Sequence, residues 1–225
     1  MSTRYNPSIV RDTLVLYIDA ANTKSYPGSG TTWTDISGQS NNGTLTNGPT
    51  FNSSNGGSIL FDGSNDSISI SNSSSLNTTP TVTISSWINP SGFGGGNFGR
   101  IIDSQDSYKF FLDNTVTYGT LGVRYWPSTG AALSVSNVVT LNEWANFTVV
   151  HSGSNVVIYK NGISIGTSGS FSTLPSTSST ILIGNRDDNA RGFEGKMSQV
   201  FIYNRALTAT EVQQNYHAHK GRYGI

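Results

Sequence analysis

Phe193-Glu194-Gly195-Lys196-Met197-Ser198-Gln199-Val200-Phe201-Ile202-Tyr203-Asn204-Arg205-Ala206-Leu207-Thr208-Ala209-Thr210-Glu211-Val212 carries a strand straight into a short capped helix. The two hundred residues before it read as strands and loops alone, so a single terminal helix on an otherwise all-β chain narrows the architecture sharply. Val200 and Ile202 alternate with Phe201 and Tyr203, the two-residue period of a strand whose faces meet different surroundings. Thr208 stands at the N-cap position and Glu211 follows three residues later, completing a capping box; Leu207 and Val212 have the spacing of a hydrophobic staple. Val212, Tyr216 and Ala209 fall on one helical face, which is expected to dock on a sheet.

Upstream, Leu14-Val15-Leu16-Tyr17-Ile18-Asp19 reads as a strand too apolar for a sheet edge. Ser58–Gly63 is another, and Asp66–Ile70 alternates with Ile68 and Ile70 inward. Val82, Ile84, Ser86 and Ile88 alternate likewise, with Trp87 on the opposite face. Ser152-Gly153-Ser154-Asn155 separates two strands of a hairpin, and Asn161-Gly162 marks the next turn, of type I′, because both central residues tolerate positive φ. Ser179–Gly184 supplies one more strand. About a dozen short strands joined by Gly, Asn and Ser turns imply an all-β, two-sheet antiparallel jelly-roll sandwich with one short C-terminal helix. No composition shift divides the chain; residues 1–13 read as an N-terminal arm and 14–225 as one domain. Gly92–Gly99 lacks the Lys-Ser/Thr ending and following helix of a phosphate loop, and reads as a flexible loop.

Charged residues are only 12% and the net charge is zero, while aromatics reach 11%. That balance excludes disorder driven by charge repulsion and gives no basic field for nucleic acid. With no cysteine there is no disulfide, thiolate metal site or thiol nucleophile. No apolar run of roughly 20 residues is present to span a bilayer, and Met1–Pro7 lacks the apolar core of a signal peptide, so cytoplasmic synthesis is expected.

With these residues in view, the chain resembles the laminin-G-like, concanavalin-A-like lectin/glucanase jelly-roll superfamily over roughly Leu14 to Tyr216. Four pieces carry the likeness: Leu16–Asp19 with Trp33–Gly38; Leu60–Asp66; Val157–Gly162; and Ile202–Leu207. The opening block (Ser25–Gly30, Thr44–Pro49) and the ending His219–Ile225 are most similar to versions in structural proteins of tailed bacteriophages. The resemblance implies a non-catalytic virion surface module, a capsid decoration or fibre-associated protein. Its expected partners are capsid or other virion proteins, sister subunits of a homo-oligomer and a host surface polysaccharide, with no nucleic acid and no membrane insertion. A purely structural capsid cement is the alternative, and a polysaccharide hydrolase ranks last.

Sugar sites pair an aromatic face with amide and carboxylate partners. Tyr125-Trp126, Phe93, Phe98 and Tyr118 lie in or beside loops; Tyr125, Trp126, Asn185 and Asp187 form the expected carbohydrate-binding set, while Trp33, Trp87 and Trp144 read as packing residues. In calcium-binding relatives, pentraxin-like members included, ligands come from two loops matching Asn65-Asp66 and Asn185–Asn189. The resemblance thus implies calcium at Asn65, Asp66, Asp187 and Asp188, set against the fact that Asn and Asp are the commonest turn residues and need no ion. Ser198-Gln199 stands where many relatives carry an acidic residue, so one ligand or supporting group is absent. Retaining glucanases of this architecture need two carboxylates about 5 Å apart. Glu143, Glu194 and Glu211 share no strand, and Asp103/Asp106 and Asp187/Asp188 lack same-face spacing, so no catalytic residue is expected. His151 reads as a strand-end residue; His217 and His219 are expected to complement the helix dipole.

Overall fold

The computed structural model describes residues 7–77, 80–115, 119–127, 132–169, 171–176 and 179–225. The strands are β1 (Leu14–Asp19), β2 (Thr32–Trp33), β3 (Gly43–Thr46), β4 (Thr50–Asn52), β5 (Ser58–Asp62), β6 (Ser67–Ile70), β7 (Val82–Pro90) and β8 (Arg100–Ser104). They continue with β9 (Tyr108–Thr115), β10 (Gly119–Pro127), β11 (Leu133–Val135), β12 (Ala145–His151), β13 (Asn155–Lys160), β14 (Ile163–Gly169), β15 (Ile181–Ile183) and β16 (Glu194–Tyr203), and α1 (Ala209–His219) follows. The first sheet runs β14-β13-β12-β7-β16-β5-β4, with β1 also paired to β16; the second runs β11-β10-β9-β8-β15-β6-β3-β2. Every pairing is antiparallel. The jelly-roll expectation holds.

Strand β16 is buried on both faces. Met197, Val200 and Ile202 join the inter-sheet core with Leu16, Ile18, Ile84, Phe110, Leu112, Val123 and Trp33. Phe201 and Tyr203 join a second cluster on the outer face of the first sheet, with Ile9, Val10, Leu14, Tyr17, Leu207 and Val212. The capping box forms as read: Glu211 N–H donates to Thr208 Oγ1, and Thr208 N–H donates to Glu211 Oε2 at 2.8 Å. Ala209 is exposed, however, and Asn215 takes its place on the inward face. Its Oδ1 accepts from Val10 N–H at 2.8 Å and its Nδ2 donates to the Tyr203 hydroxyl.

The N-terminal arm is therefore shorter than expected. Ile9 and Val10 are core residues, and Val10 C=O accepts from Tyr203 Oη at 3.0 Å, so residues 8–13 belong to the body. Residues 1–6 lie outside the described residues. Among the described residues β1 pairs only with β16, which corrects its reading as an interior strand. Its apolar sequence is explained by burial on both faces, and its open edge is closed by a carboxylate. Asp35 accepts from Tyr17 N–H (2.9 Å), Ser37 N–H (2.8 Å) and Asn41 N–H (3.0 Å), doing the work of a neighbouring strand.

The C-terminal segment roofs the same face. Tyr216 and Tyr223 stack on Trp87, with ring centroids at 5.7 and 4.0 Å. Arg222 reaches Asp19 through two hydrogen bonds of 2.8 and 3.0 Å, and Gln199 Nε2, Ala21 N–H and Tyr17 Oη also donate to that carboxylate. Burial alone would raise the Asp19 carboxyl; these donors, Arg222 foremost, hold it below its ordinary value. His219 is pushed down by burial and by Arg222, which works against the cationic form that a helix dipole favours. Asn161 and Gly162 both take positive φ, as the type I′ turn requires.

Arg222→Ala strands a buried carboxylate and is expected to cost about 3 kcal/mol, read from the urea midpoint; an unchanged midpoint contradicts the clamp. Arg205, then Thr208, hold the Glu211 carboxyl down to about 2, below its ordinary 4.5. A depressed carboxylate stabilises fully above the ordinary value, and the contribution is lost as pH falls through the depressed one. Because the group is solvent-accessible, Glu211→Gln should destabilise by less than about 1 kcal/mol at neutral pH, with the difference from the parent vanishing near pH 2.

Candidate functional site

The first sheet's outer face is occupied by α1, Tyr223 and the N-terminal segment; the second sheet's outer face carries the polar chemistry. Alternation along β9 sends Tyr108, Phe110 and Leu112 into the core and Lys109, Phe111 and Asp113 outward. On β10 it sends Val123 and Tyr125 inward and Arg124 and Trp126 outward. Tyr125 and Trp126 thus stand on successive positions near the end of β10, and the two rings cannot share a platform. Tyr125 is 0% exposed, its hydroxyl 2.9 Å from His151 Nδ1, whereas Trp126 is 45% exposed. Tyr125 is corrected to a core residue, and so is Phe93. Tyr118 lies outside the described residues. Trp33 and Trp87 are buried, and Trp144 donates to Asn55 beside Tyr223, the packing roles expected of them.

Cross-strand register assembles the rest. Phe111 lies opposite Arg100 on β8 and opposite Arg124 on β10. The Arg100 guanidinium lies 4.2 Å from the Phe111 ring centroid; that of Arg124 lies 5.9 Å from Phe111 and 5.5 Å from Trp126. Two loops build the walls. Residues 92–99 supply Phe98, packed edge-on against Phe111, and residues 184–193 supply Arg186 and Arg191, the latter 4.9 Å from the Phe98 centroid. Phe98, Arg100, Phe111, Arg124, Trp126, Arg186 and Arg191 line one cleft of about 220 Å³.

Charge in the cleft is partly compensated. Arg100 Nε donates to Asp103 at 2.8 Å, with both side chains buried; Arg124 lies 3.7 Å from Asp113; Arg186 pairs with Asp188 through two nitrogens. Burial lowers the Arg100 guanidinium and raises the Asp103 carboxyl, each opposed by the other's charge. The Arg186 hydrogen bonds, then Ala190 N–H, hold Asp188 far below the usual carboxylate range. Arg191 has no carboxylate partner among the described residues; its guanidinium meets Gly95 C=O at 3.5 Å.

Asn185 is the joint that places the upper wall. Its Oδ1 accepts from Arg186 N–H (2.9 Å) and Arg191 N–H (3.1 Å), while its Nδ2 donates to Ser64 C=O (3.1 Å) and Asp66 C=O (3.3 Å). It is 0% exposed, so its expected role as a sugar contact is corrected to positioning. The glycine run is packed rather than loose. A Cβ at Gly94 would stand 1.9 Å from Gly192 C=O, and one at Gly96, where φ is +59°, would stand 2.0 Å from Arg191 Nη1.

The expected calcium set does not assemble. Asp66 is buried and its Oδ2 accepts from Asp62 N–H at 3.0 Å, Asp188 is committed to Arg186, and the described residues hold no cluster of three acidic or histidine side chains suited to a metal. Asn65 contributes its carbonyl to Asn47 Nδ2. These residues do not fit the ion. Asp187 is exposed in the adjoining groove with Asp103, Gln105 and Lys109, beside the arginine-lined cleft rather than in it. Asp103 and Asp188 are each held by an arginine, so neither aspartate pair forms a free carboxylate dyad. Ser198 Oγ donates to Gly57 C=O and Gln199 to Asp19, structural uses of the positions that depart from the relatives' pattern.

Sequence reading missed Arg100, Phe111, Arg124 and Arg191; the alternation Val123-Arg124-Tyr125-Trp126 was the available signal. Residues 62–213, more than half of the chain, match the family described as the Concanavalin A-like lectin/glucanases superfamily. The chain belongs to that superfamily. No curated protein sequence matches it. Among solved structures it is similar to the binding domain of Paraclostridial Mosquitocidal Protein 1, at 20% identity and TM-score 0.71, covering 92% of this chain and 52% of that one. Domain 4 of AbnA, a GH43 extracellular arabinanase from Geobacillus stearothermophilus in complex with arabinotriose, matches at 15% identity and TM-score 0.70 over 91% of this chain and 98% of that one. The binding domain of Botulinum Neurotoxin DC in complex with SialylT matches at 14% identity and TM-score 0.66, over 93% and 52%. At these identities the likeness is one of fold, and the chain spans about half the length of the toxin binding domains.

Asn185→Ala removes four hydrogen bonds from a buried joint and is expected to cost on the order of 3 kcal/mol. Limited proteolysis should then cut first within residues 185–191; a parent-like digestion pattern contradicts the positioning role.

Proposed function

We propose that the chain is a non-catalytic carbohydrate-binding module whose sugar sits in the cleft beside Trp126. One observation carries the reading: an indole 45% exposed, standing on a strand and bordered by planar donors, where an apolar sugar face can stack and its oxygens can be bonded. Family membership and structural neighbours solved with arabinotriose and with SialylT support it. The proposed setting is the surface of a phage particle, supported by the opening block and the His219–Ile225 ending. There, many copies on one particle would convert weak single-site affinity into avidity. Capsid cement, binding only other virion proteins, is the competing use of the fold.

Glycan-array screening followed by calorimetry tests this. Trp126→Ala should weaken the best ligand by about ten-fold or more, roughly 1.4 kcal/mol, with the thermal midpoint unchanged. Tight binding to empty capsids with no glycan bound favours cement. Asp62 lies directly opposite Glu194 on adjacent strands, with Asp66 lining the same cavity, which makes Glu194 the residue for a catalytic control. Incubation should leave a bound polysaccharide at its original length; shortening that is abolished in Glu194→Gln replaces the binding reading with a hydrolytic one.

A further inference from the structure

We propose that the cleft selects an acidic sugar, a pyranose bearing a carboxylate or a sulfate, with Trp126 under the ring and Arg191 paired to the anionic group. The inference rests on the carbohydrate reading and narrows its ligand. Neutral sugars offer hydroxyls that both donate and accept, so sites for them mix donors with free acceptors. Here the cleft presents four guanidinium groups, which donate only. The carboxylates beside them, Asp103, Asp113 and Asp188, already face Arg100, Arg124 and Arg186. What the walls lack is an acceptor-only group, which a carboxylate or sulfate supplies in the planar, forked geometry that guanidinium matches best.

Placement agrees with charge. Among the described residues, three of the four guanidinium groups are salt-bridged to a carboxylate and Arg191 is not; Asp188, which feels its charge, is already bonded to Arg186, so the four arginines exceed their three paired carboxylates by one positive charge. That side chain is held in position: its N–H is bonded to Asn185, its C=O accepts from Arg100 N–H at 3.0 Å, and its guanidinium lies over Phe98. On the flank, Asp187 repels an anion and Lys109 offsets it, both in the adjoining groove, so the acidic group enters on the Arg191 and Trp126 side. The cleft volume of about 220 Å³ lies below that of pockets for larger organic ligands and suits a single ring. A chain of zero net charge with one local surplus fits a single anionic group better than the run of phosphates in a nucleic acid.

The test compares matched probes on the whole chain by calorimetry at low and physiological salt. The pairs are a galacturonate trisaccharide against its carboxyl-reduced form, and 6-sulfolactose against lactose, with oligo-dT as the nucleic-acid arm. At least one acidic probe should bind about ten-fold or more tightly than its neutral counterpart, and weaken as salt rises. Arg191→Gln should remove that preference, bringing the acidic probe's affinity down to that of its neutral counterpart, and Arg191→Lys should restore only part of it. Equal binding of acid and neutral forms, both lost in Trp126→Ala, overturns the acidic selectivity and leaves the carbohydrate reading standing. Failure of every sugar overturns the selectivity proposed here, and if a broad glycan array is also blank the carbohydrate reading falls with it. Binding of oligo-dT without any sugar assigns the cleft to single-stranded nucleic acid instead.

Discussion

Burial of both faces of β16 is the constraint from which the rest of the molecule follows. A strand with Val200 and Ile202 on one side and Phe201 and Tyr203 on the other cannot lie at a solvent face, so each side needs its own cover. The opposing sheet covers one. The other is covered by material from both ends of the chain: Ile9 and Val10 from the beginning, Leu207 and Val212 from the end. Polar anchors fix that cover in register. Asn215 ties the helix to Val10 and Tyr203, and the five donors on Asp19 include Arg222 from the last turn. Closing this face assigns the outward chemistry to the second sheet.

The composition, poor in charge and rich in Ser, Thr, Asn and Gly, makes sense in the same terms. Long polar loops contain backbone groups that no strand satisfies, and short polar side chains satisfy them. Asp35 stands in for a neighbouring strand along β1, Asn41 Nδ2 donates to Val15 C=O at 2.7 Å, and Asn185 bridges two loops at once. A reader of the sequence meets these residues as candidate ligands, since amides and carboxylates in loops are what calcium and sugars need. The structure turns them inward: Asn185 makes four hydrogen bonds within the protein, and Asp66 is buried with its Oδ2 accepting from Asp62 N–H.

What the sequence disclosed was what depends on neighbours in the chain. The capping box at Thr208 and Glu211, the Asn161-Gly162 turn, the inward Ile68 and Ile70, and the buried Trp33 and Trp87 are all set by local spacing or by a strong period. The cleft depends instead on register among β8, β9 and β10. A shift between Arg100 and Ile102 places Arg100 and Asp103 on one face, where simple alternation would separate them. No local pattern reveals that displacement. Tyr125 and Trp126, expected together in or beside loops as one sugar-binding set, are divided by the alternation of β10, which buries the first and exposes the second.

The Arg100–Asp103 pair bears on what the cleft is for. Removing two charges from water costs more than the pair's attraction commonly returns, so stability alone is a poor reason to keep it. Orientation is a better one. Held by Asp103 and by Phe98 C=O at 3.0 Å, Arg100 lies over Phe111 as a fixed floor, and its N–H fastens the backbone of Arg191. A chain with no net charge exerts little pull on a ligand beyond the roughly 8 Å over which salt screens it. The proposed discrimination would then arise at contact distance, from donors whose directions are set before a ligand arrives: Arg100 and Arg124 stand on strands beside buried carboxylates, and Arg191 is fixed through its backbone bonds to Asn185 and Arg100.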